Sequence, residues 1–338
     1  MAKMKVLQIG AGGFGQSWLQ VVQHNPDAEL VAVSDLSPQN LTQAKEITGL
    51  EDSRLYLDPL LALRESGADI ALIVTPQQTH KSLALAALEN RMHVLMEKPL
   101  SDTYESGVEL LQASKQYAQR VMVSQNYRWF APIQALKRVL EEERVGKIGY
   151  VEYEFRTSIN ANGWRDSLPE VLLEDMSIHH FDLLRYLLGK EAVDIYAQSF
   201  QTSWSWWKGK PAASVILRFK DEIHVNYFGS WVPRGSFTSW SGDMRFVGER
   251  GEIVVASDSI ICRLINEDDS ITDVHIDVPA PSGDPRSSSL SELVQAIRED
   301  RAPLTALEDN IYSFELTRAA VASAESGARV NLEEFRKF

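Results

Sequence analysis

The first third of the chain alternates short apolar runs with stretches of helical pattern. The apolar runs predict strands at 5–9, 29–34, 69–74, 93–97 and 121–124, and the stretches between them predict helices at 14–22, 38–47, 79–90 and 102–118. Strands that alternate with helices in this way are typical of βαβ units and of a parallel sheet. We therefore expect a doubly wound α/β domain over residues 1–124.

From about residue 150 the pattern changes to an alternation of single residues. Val151, Tyr153 and Phe155 alternate with polar neighbours, as in a half-buried antiparallel strand. Similar runs recur at 193–202, 212–220, 222–231, 243–248, 251–257, 259–265 and 272–278, and helical patterns cover 172–188, 288–300 and 308–326. We expect an α+β domain over 125–338 with a large, mostly antiparallel open sheet. Its C-terminal helices pack either on that sheet or back on the first domain.

The composition narrows the class of protein. The 338 residues carry 34 Lys and Arg against 47 Asp and Glu, a net charge of −13, which argues against a protein that binds the phosphate backbone of nucleic acids. No apolar stretch is typical of a membrane span. Cys262 is the single cysteine and has apolar neighbours, so we expect a core thiol and neither a disulfide nor a multi-thiolate zinc site. A cytoplasmic protein without nucleic-acid or membrane partners is expected.

A glycine-rich turn joins the first predicted strand to the first predicted helix. Its G-x-G-x-x-G pattern comprises Gly10, Gly12, Gly13, Phe14 and Gly15. In this setting glycines allow a tight turn and close backbone approach, while the helix N-terminus presents free N–H groups to a diphosphate. We interpret the turn as the dinucleotide-binding loop of a Rossmann domain; the alternative is a purely structural glycine turn.

Asp35 ends the second predicted strand, 20 residues after Gly15. A carboxylate at this place binds the adenosine ribose hydroxyls and repels a 2′-phosphate, and residues 36–38 offer no arginine to attract one. We therefore expect NAD as the cofactor in preference to NADP. A second role, as the cap of the helix that begins near residue 38, is compatible with the first.

Further motifs follow at the ends of strands and in the second half of the chain. Together with the glycine loop they resemble those of the Gfo/Idh/MocA oxidoreductases, which include glucose–fructose oxidoreductase and inositol dehydrogenase; the motifs are Thr75-Pro76 with His80, Glu97-Lys98-Pro99, Asn126-Tyr127-Arg128, and Asp175 to Asp182 with His179. The resemblance covers nearly the whole chain.

The resemblance implies roles for several residues along the cofactor. It places Thr75, Pro76 and His80 beside the ribose and nicotinamide, and it adds Glu97 and Lys98 to the cofactor contacts. It also implies a cis peptide bond between Lys98 and Pro99. For His80, at the start of a predicted helix, a helix cap or a packing contact is the alternative.

The resemblance also implies a catalytic set of Lys98, Asp175 and His179. Lys98 follows a parallel strand at its carboxyl end, where ligands bind in such sheets, and an ammonium there can polarise a substrate oxygen. Asp175 and His179 are four residues apart and so share one face of an α-helix, with Asp182 three residues further along that face. An imidazole can take up a hydroxyl proton near neutral pH.

For these residues the structural alternatives are a surface lysine and a salt bridge within the helix. Asp182 is expected to orient His179 or to make a structural bond. Glu174 and His180 add possible metal ligands, but no second cluster accompanies them, so we expect no metal.

Substrate contacts are expected from Lys98, Arg128, Trp164, Arg165, Asp175 and His179. Arg128 lies at the predicted domain junction, where an interdomain bond is the alternative. Trp164 and Arg165 precede the active-site helix, where an aromatic ring can stack on a sugar. Glu170, Leu172 and Ser177 stand where the family usually has small residues, which implies a reshaped pocket and prevents transfer of any one relative's substrate.

The sequence therefore predicts an NAD-dependent dehydrogenase that acts on a sugar, a cyclitol or a related small polyhydroxy compound. Two alternatives remain: an enzyme that cleaves glycosides with tightly bound, internally recycled NAD, and a non-enzymatic NAD-binding regulator. A homodimer or homotetramer is also expected, on the reasoning that the open sheet face would otherwise expose Val225 and Tyr227.

Overall fold

The computed structural model of the protein describes residues 2–160, 163–281 and 283–337, with only the backbone of Trp164. These residues divide into two compact units. The first contains the chain up to Trp129 together with Gly283–Tyr312, and the second contains the remaining described residues. A C-terminal segment thus belongs to the same unit as the N-terminal sheet.

The helices and strands are numbered along the chain. The helices of the described residues are α1 (Gly13–His24), α2 (Pro38–Thr48), α3 (Pro59–Glu65), α4 (His80–Glu89), α5 (Tyr104–Ser114), α6 (Ala131–Glu141), α7 (Ser177–Leu188), α8 (Pro285–Arg298), α9 (Leu307–Ser326) and α10 (Leu332–Phe335). The strands are β1 (Met4–Ile9), β2 (Ala28–Ser34), β3 (Leu55–Tyr56), β4 (Ile70–Ile73), β5 (His93–Met96), β6 (Val121–Val123), β7 (Ile148–Arg156), β8 (Ala192–Phe200), β9 (Ala212–Phe219), β10 (Ile223–Ser230), β11 (Asp243–Gly248), β12 (Gly251–Ala256), β13 (Ser259–Ile265), β14 (Ile271–Ile276) and β15 (Val330–Asn331).

The sheet of the first unit is parallel throughout its described strands, in the order β3-β2-β1-β4-β5-β6. This confirms the predicted doubly wound domain. The strand order reverses between β1 and β4, and in open α/β sheets ligands bind beyond the carboxyl ends of the strands at such a point. The glycine loop follows β1, and Lys98 follows β5, so both lie at that edge.

Helices α1 and α8 pack together on one face of this sheet. Trp18 of α1 and Leu293 of α8 are fully buried against Val6, Leu72 and Leu95 of the strands. An ion pair between Arg298, in the last turn of α8, and Asp27, just before β2, holds the end of this helix. The 283–312 segment is therefore part of the hydrophobic core of the first unit.

The sheet of the second unit has the order β14-β13-β12-β11-β7-β10-β9-β8-β15 among the described residues. Its pairings are antiparallel except for β7 with β10, which are parallel. This confirms the predicted large, mostly antiparallel sheet. Cys262 lies on β13 and is buried, with its thiol pKa raised by that burial.

The reasoning for an oligomer from Val225 and Tyr227 is wrong. Both residues are buried, at 0% and 2% exposure, on the sheet face that α7 covers, where the ring centroids of Phe181 and Tyr227 are 5.4 Å apart. The other face of β10 carries the exposed polar residues His224 and Asn226. The oligomeric state itself stays a prediction.

No helix within the described ranges combines the length and the apolar character needed to cross a membrane.

Candidate active site

The glycine loop has the geometry of a cradle for a phosphate group. Gly10 has a φ of +99°, and a Cβ there would lie 2.2 Å from the Val74 carbonyl oxygen, so only glycine fits. Gly13 is exposed, and a Cβ there would meet nothing within 4 Å. Gly12 caps α1 without a side-chain hydrogen bond, which leaves the first-turn N–H groups for a ligand.

The Gln8 side chain holds the glycine loop in place through hydrogen bonds to two of its carbonyl groups. Its Nε2 donates to the carbonyl oxygens of Gly10 and Gly15, both at 2.8 Å, and the side chain is fully buried. This residue was not predicted from the sequence. Its signal is a glutamine in the middle of the otherwise apolar end of β1.

The Asp35 carboxylate joins the glycine loop to the start of α2. Its Oδ2 accepts from the backbone N–H of Ala11 at 2.7 Å, and its Oδ1 accepts from the N–H of Ser37 at 2.8 Å and from Nδ2 of Asn40 at 3.0 Å. Ser37, whose hydroxyl accepts from the N–H of Asn40, is the N-cap of α2. Asp35 therefore supports the helix start without being its cap.

These residues fit a dinucleotide. A positive-φ glycine, an open glycine beside it and an uncapped helix N-terminus match what a diphosphate requires. The half-exposed carboxylate lies at the end of β2, where a ribose binds. The exposed Phe14 and Leu36 side chains, at 58% and 79%, offer apolar surface beside the loop and beside that carboxylate.

Lys98 is held by its neighbours at the end of β5. Its peptide bond to Pro99 is cis, as the resemblance implies. The preceding Glu97 is buried; its Oε1 accepts from the indole N–H of Trp18 at 2.8 Å, and its Oε2 accepts from the backbone N–H of Lys98 at 3.1 Å. Burial raises the pKa of the Glu97 carboxyl. Glu97 and Trp18 thus position the backbone from which Lys98 projects.

His80 links the loops that follow β4 and β5. Its ring is buried, with Nε2 at 2.9 Å from the Thr75 carbonyl oxygen and Nδ1 at 2.8 Å from the Pro99 carbonyl oxygen. Burial lowers the pKa of this imidazole. The Thr75 hydroxyl bonds that of Thr79 at 2.7 Å, whereas Pro76 is exposed. A neutral imidazole has one N–H and donates to one of these two carbonyls, while the buried ring contacts both loops.

Arg128 is buried within the first unit, at 4% exposure. Its Nη1 donates to the Leu304 carbonyl oxygen at 3.0 Å, and its Nη2 pairs with the Asp309 carboxylate at 2.8 Å. These bonds anchor the start of α9. The Arg128 guanidinium is therefore already engaged in structural bonds. The predicted substrate contact of Arg128 stays a prediction.

In the second unit, a π turn at Leu172–Met176 leads directly into α7. The backbone N–H of Ser177 reaches back to the carbonyl of Leu172, and its hydroxyl donates to the same oxygen at 3.2 Å. Asp175 lies in the π turn and His179 in α7, both buried at 5% and 7% exposure. The predicted helix over 172–188 thus begins with a π turn, and the shared face of Asp175 and His179 stays a prediction.

Asp175 pairs with Arg165. The Arg165 Nε donates to Oδ2 of Asp175 at 2.6 Å, and the arginine side chain keeps 30% exposure while the carboxylate is almost completely buried. A buried carboxylate requires such a partner. Arg165 thereby orients Asp175. The Trp164 side chain lies outside the described residues.

The neighbouring His180 has a structural environment. Its Nδ1 accepts from the Tyr227 hydroxyl at 2.9 Å, and its Nε2 donates to the Trp240 carbonyl oxygen at 3.1 Å; this assignment is the neutral tautomer that satisfies both partners. The ring packs 4.6 Å from the ring of Phe155, and burial lowers its pKa to about 3. Asp182 accepts from the Ser313 hydroxyl at 2.6 Å.

Acidic residues near α7 are paired with cations. Lys210 bonds Glu170 at 2.7 Å, and Arg318 lies 3.4 Å from Glu174, whose pKa burial raises. Within the described part of the chain, no group of three or more His, Cys, Asp or Glu residues is arranged to hold a metal ion.

Two family descriptions match the chain in succession. The Gfo/Idh/MocA oxidoreductase family's NAD-binding Rossmann fold matches residues 4–125, and the same family's C-terminal alpha/beta domain matches residues 137–332. These ranges correspond to the parallel sheet and to the large, mostly antiparallel sheet.

Similar proteins carry dehydrogenase and oxidoreductase names. D-apiose dehydrogenase of Paraburkholderia graminis is 24% identical over 98% of this chain and 90% of its own. Myo-inositol 2-dehydrogenase of Thermotoga maritima is 27% identical over 57% of this chain, which spans 58% of that relative. A solved oxidoreductase from Agrobacterium radiobacter, in complex with NAD+, L-tartaric acid and magnesium, has the same fold, with a TM-score of 0.88 at 21% identity over 98% of this chain and 99% of that one. The chain belongs to the Gfo/Idh/MocA family of oxidoreductases.

Proposed function

We propose that the protein is an NAD-dependent dehydrogenase of a sugar, a cyclitol or a related polyhydroxy compound. The observation that carries the proposal is the placement of the glycine loop and Lys98 at the same edge of one parallel sheet, after β1 and β5. A dinucleotide bound on the loop lies along the edge from which Lys98 projects. A non-enzymatic NAD-binding protein has no need of a lysine ammonium group at this edge of the sheet.

The preference for NAD over NADP rests on Asp35. Its carboxylate lies at the end of β2 and is held by three hydrogen bonds from the loop and the start of α2, so it cannot easily turn away from a ribose. A 2′-phosphate would meet this negative charge. The adjoining Leu36 side chain provides no compensating cation.

The chemistry assigned to the side chains is proton transfer and orientation. His179 takes the proton of the reacting hydroxyl, Lys98 donates a hydrogen bond to a substrate oxygen, and Asp175, oriented by Arg165, accepts from a substrate hydroxyl. Bound NAD supplies the hydride acceptor. His180 takes no part, because its ring nitrogens are occupied and its imidazole stays neutral.

The substrate class rests on the paired polar groups and on the relatives. Two relatives are named for D-apiose and myo-inositol, both rich in hydroxyl groups. Asp175 can accept and Arg165 can donate hydrogen bonds, so the pair suits two neighbouring hydroxyl groups of a substrate.

The test is a panel of sugars, cyclitols and polyols with NAD and with NADP, followed by nicotinamide absorbance. We expect NADH to form in proportion to oxidised product with at least one compound. Lys98→Ala and His179→Asn should lose a hundredfold or more in kcat while still binding NAD. Lys81→Ala, which removes a surface lysine paired with Glu109, is the matched control and should keep full activity.

Two outcomes would contradict the proposal. Turnover of a glycoside without accumulation of NADH would favour internal recycling of the cofactor. Full activity of the Lys98 and His179 variants on the best substrate would remove both residues from the catalytic set.

A further inference from the structure

Arg286, at the start of α8, lies beside the glycine loop although 271 residues separate it from Gly15. Helix α8 runs along α1 and is fixed at several points. Nδ2 of Asn25 donates to the hydroxyls of Ser287 and Ser291 at 2.9 and 3.2 Å, and Arg298 pairs with Asp27 at 2.9 Å. The Asn25 bonds hold the first turns of α8, and the Arg298 ion pair holds its last turn.

The guanidinium of Arg286 contacts the first turn of α1 directly. Its Nη1 donates to the Ser17 hydroxyl at 2.6 Å, and its central carbon lies 5.2 Å from the ring centroid of Phe14 and 5.5 Å from that of Trp18. Phe14 is a member of the glycine fingerprint. A fixed positive charge therefore adjoins the helix end that presents its N–H groups to an anion.

The remaining hydrogen-bonding capacity of Arg286 suits a phosphate. Its Nε and Nη2 donate side-on to the Asp284 carboxylate at 3.0 and 2.6 Å. With the bond to Ser17, three of the five guanidinium N–H donors are used among the described residues, and one remains on each of Nη1 and Nη2. A guanidinium with one N–H left on each Nη atom can bind two phosphate oxygens as a fork.

We propose that Arg286 is a cofactor-binding residue that contacts the diphosphate of the dinucleotide together with the first turn of α1. Asp284 orients the guanidinium, and the Phe14 ring supports its face. Although the chain has a net charge of −13, it thus places the Arg286 guanidinium beside the negatively charged diphosphate. The inference deepens the proposed function and rests on its NAD site.

The experiment measures binding by calorimetry, without turnover. Wild type and Arg286→Gln are titrated with NAD, with ADP-ribose and with adenosine. We expect Arg286→Gln to weaken NAD and ADP-ribose by about ten- to a hundredfold, and to leave adenosine unchanged because adenosine lacks the diphosphate. The dependence of the NAD affinity on salt should also become shallower in the variant.

Arg298→Gln is the matched control, because it removes an arginine of the same helix whose partner lies at the far end of α1. It should bind all three ligands as wild type does. Arg286→Lys keeps the charge without the fork and should lose less than Arg286→Gln, and it carries the test if Arg286→Gln does not fold.

Two results would overturn the assignment. One is ADP-ribose binding by the folded Arg286 variants within twofold of wild type, and the other is an equal loss in Arg298→Gln, which would mean that α8 acts through packing alone. If wild type itself binds neither NAD nor ADP-ribose, the proposed cofactor site fails as well, so the two failures are distinguishable.

Discussion

Replacing His180 by glutamine separates the two adjacent histidines of α7. The His180 imidazole is fully buried, accepts from Tyr227 and donates to the Trp240 carbonyl, and its pKa is lowered to about 3 by burial. Glutamine offers an acceptor and a donor to the same partners but does not titrate. The variant therefore removes a protonation without removing the polar network.

The sign and size of the effect follow from linkage. In the unfolded chain this histidine takes up a proton near pH 6.5, whereas in the folded protein it stays neutral down to about pH 3. Between these pH values the unfolded state binds more protons than the folded state. The free energy of unfolding is therefore highest above pH 6.5 and decreases as the pH falls below it. From pH 7.5 to 5.5 this one group reduces the free energy of unfolding by about 1.4 kcal/mol.

Urea unfolding followed by tryptophan fluorescence at both pH values measures this difference. Wild type should lose about 1.4 kcal/mol more than His180→Gln over the interval. His80 and His93, whose pKa values burial also lowers, remain in both proteins and cancel in the comparison. His24→Gln, on the exposed side of α1, should follow wild type. Parallel losses in wild type and His180→Gln would refute the buried neutral imidazole.

Three further predictions concern Asp35 and Gln8 of the first unit and Arg165 of the second. Asp35→Ala should weaken NAD by about tenfold and narrow its advantage over NADP, as measured by calorimetry; unchanged discrimination would contradict the role given to the carboxylate. Gln8→Leu should cost about 2 kcal/mol in urea unfolding and weaken NAD, since two loop carbonyls lose their donor. Arg165→Ala should lower kcat at least tenfold while the Kd for NAD stays constant, because Asp175 loses its orienting cation; a constant kcat would place Arg165 outside the site.

The sequence predicted the elements with strong periodicity. The runs before Gly10 and Asp35 and the alternation at Val151 to Phe155 are long enough to report a strand. The two-residue strand Leu55–Tyr56 and helix α3 gave too short a pattern to be recognised. The alternation of apolar and polar residues also does not show which strands pair with each other. The parallel pairing of β7 with β10 therefore could not be predicted.

The error over Val225 and Tyr227 has a similar origin. Alternation tells which residues share a sheet face, and these two do share one. It does not tell whether a helix of the same chain covers that face, as α7 does.

In the site, the residues at strand ends were the most accessible to sequence reasoning. Asp35 and Lys98 follow strands directly, and the topology brings such positions to one edge. Their roles stay predictions. Trp18 and Arg286 act through contacts that span 79 and 269 residues, which no local pattern encodes. Gln8 did have a local signal, the polar residue in the apolar end of β1, and was not recognised. The π turn at Leu172–Met176 was also missed, because the spacing of Asp175 and His179 is the same in either kind of helix.

The central claim is direct hydride transfer between substrate and NAD, and an isotope measurement tests it most directly. The best compound from the panel, carrying deuterium on the carbon that is oxidised, is reacted for a single turnover with the protein and NAD. The proposed function predicts one deuterium at C4 of the nicotinamide of NADH per oxidised product. Recovery of the deuterium in water, or product formed with unlabelled cofactor, would contradict it.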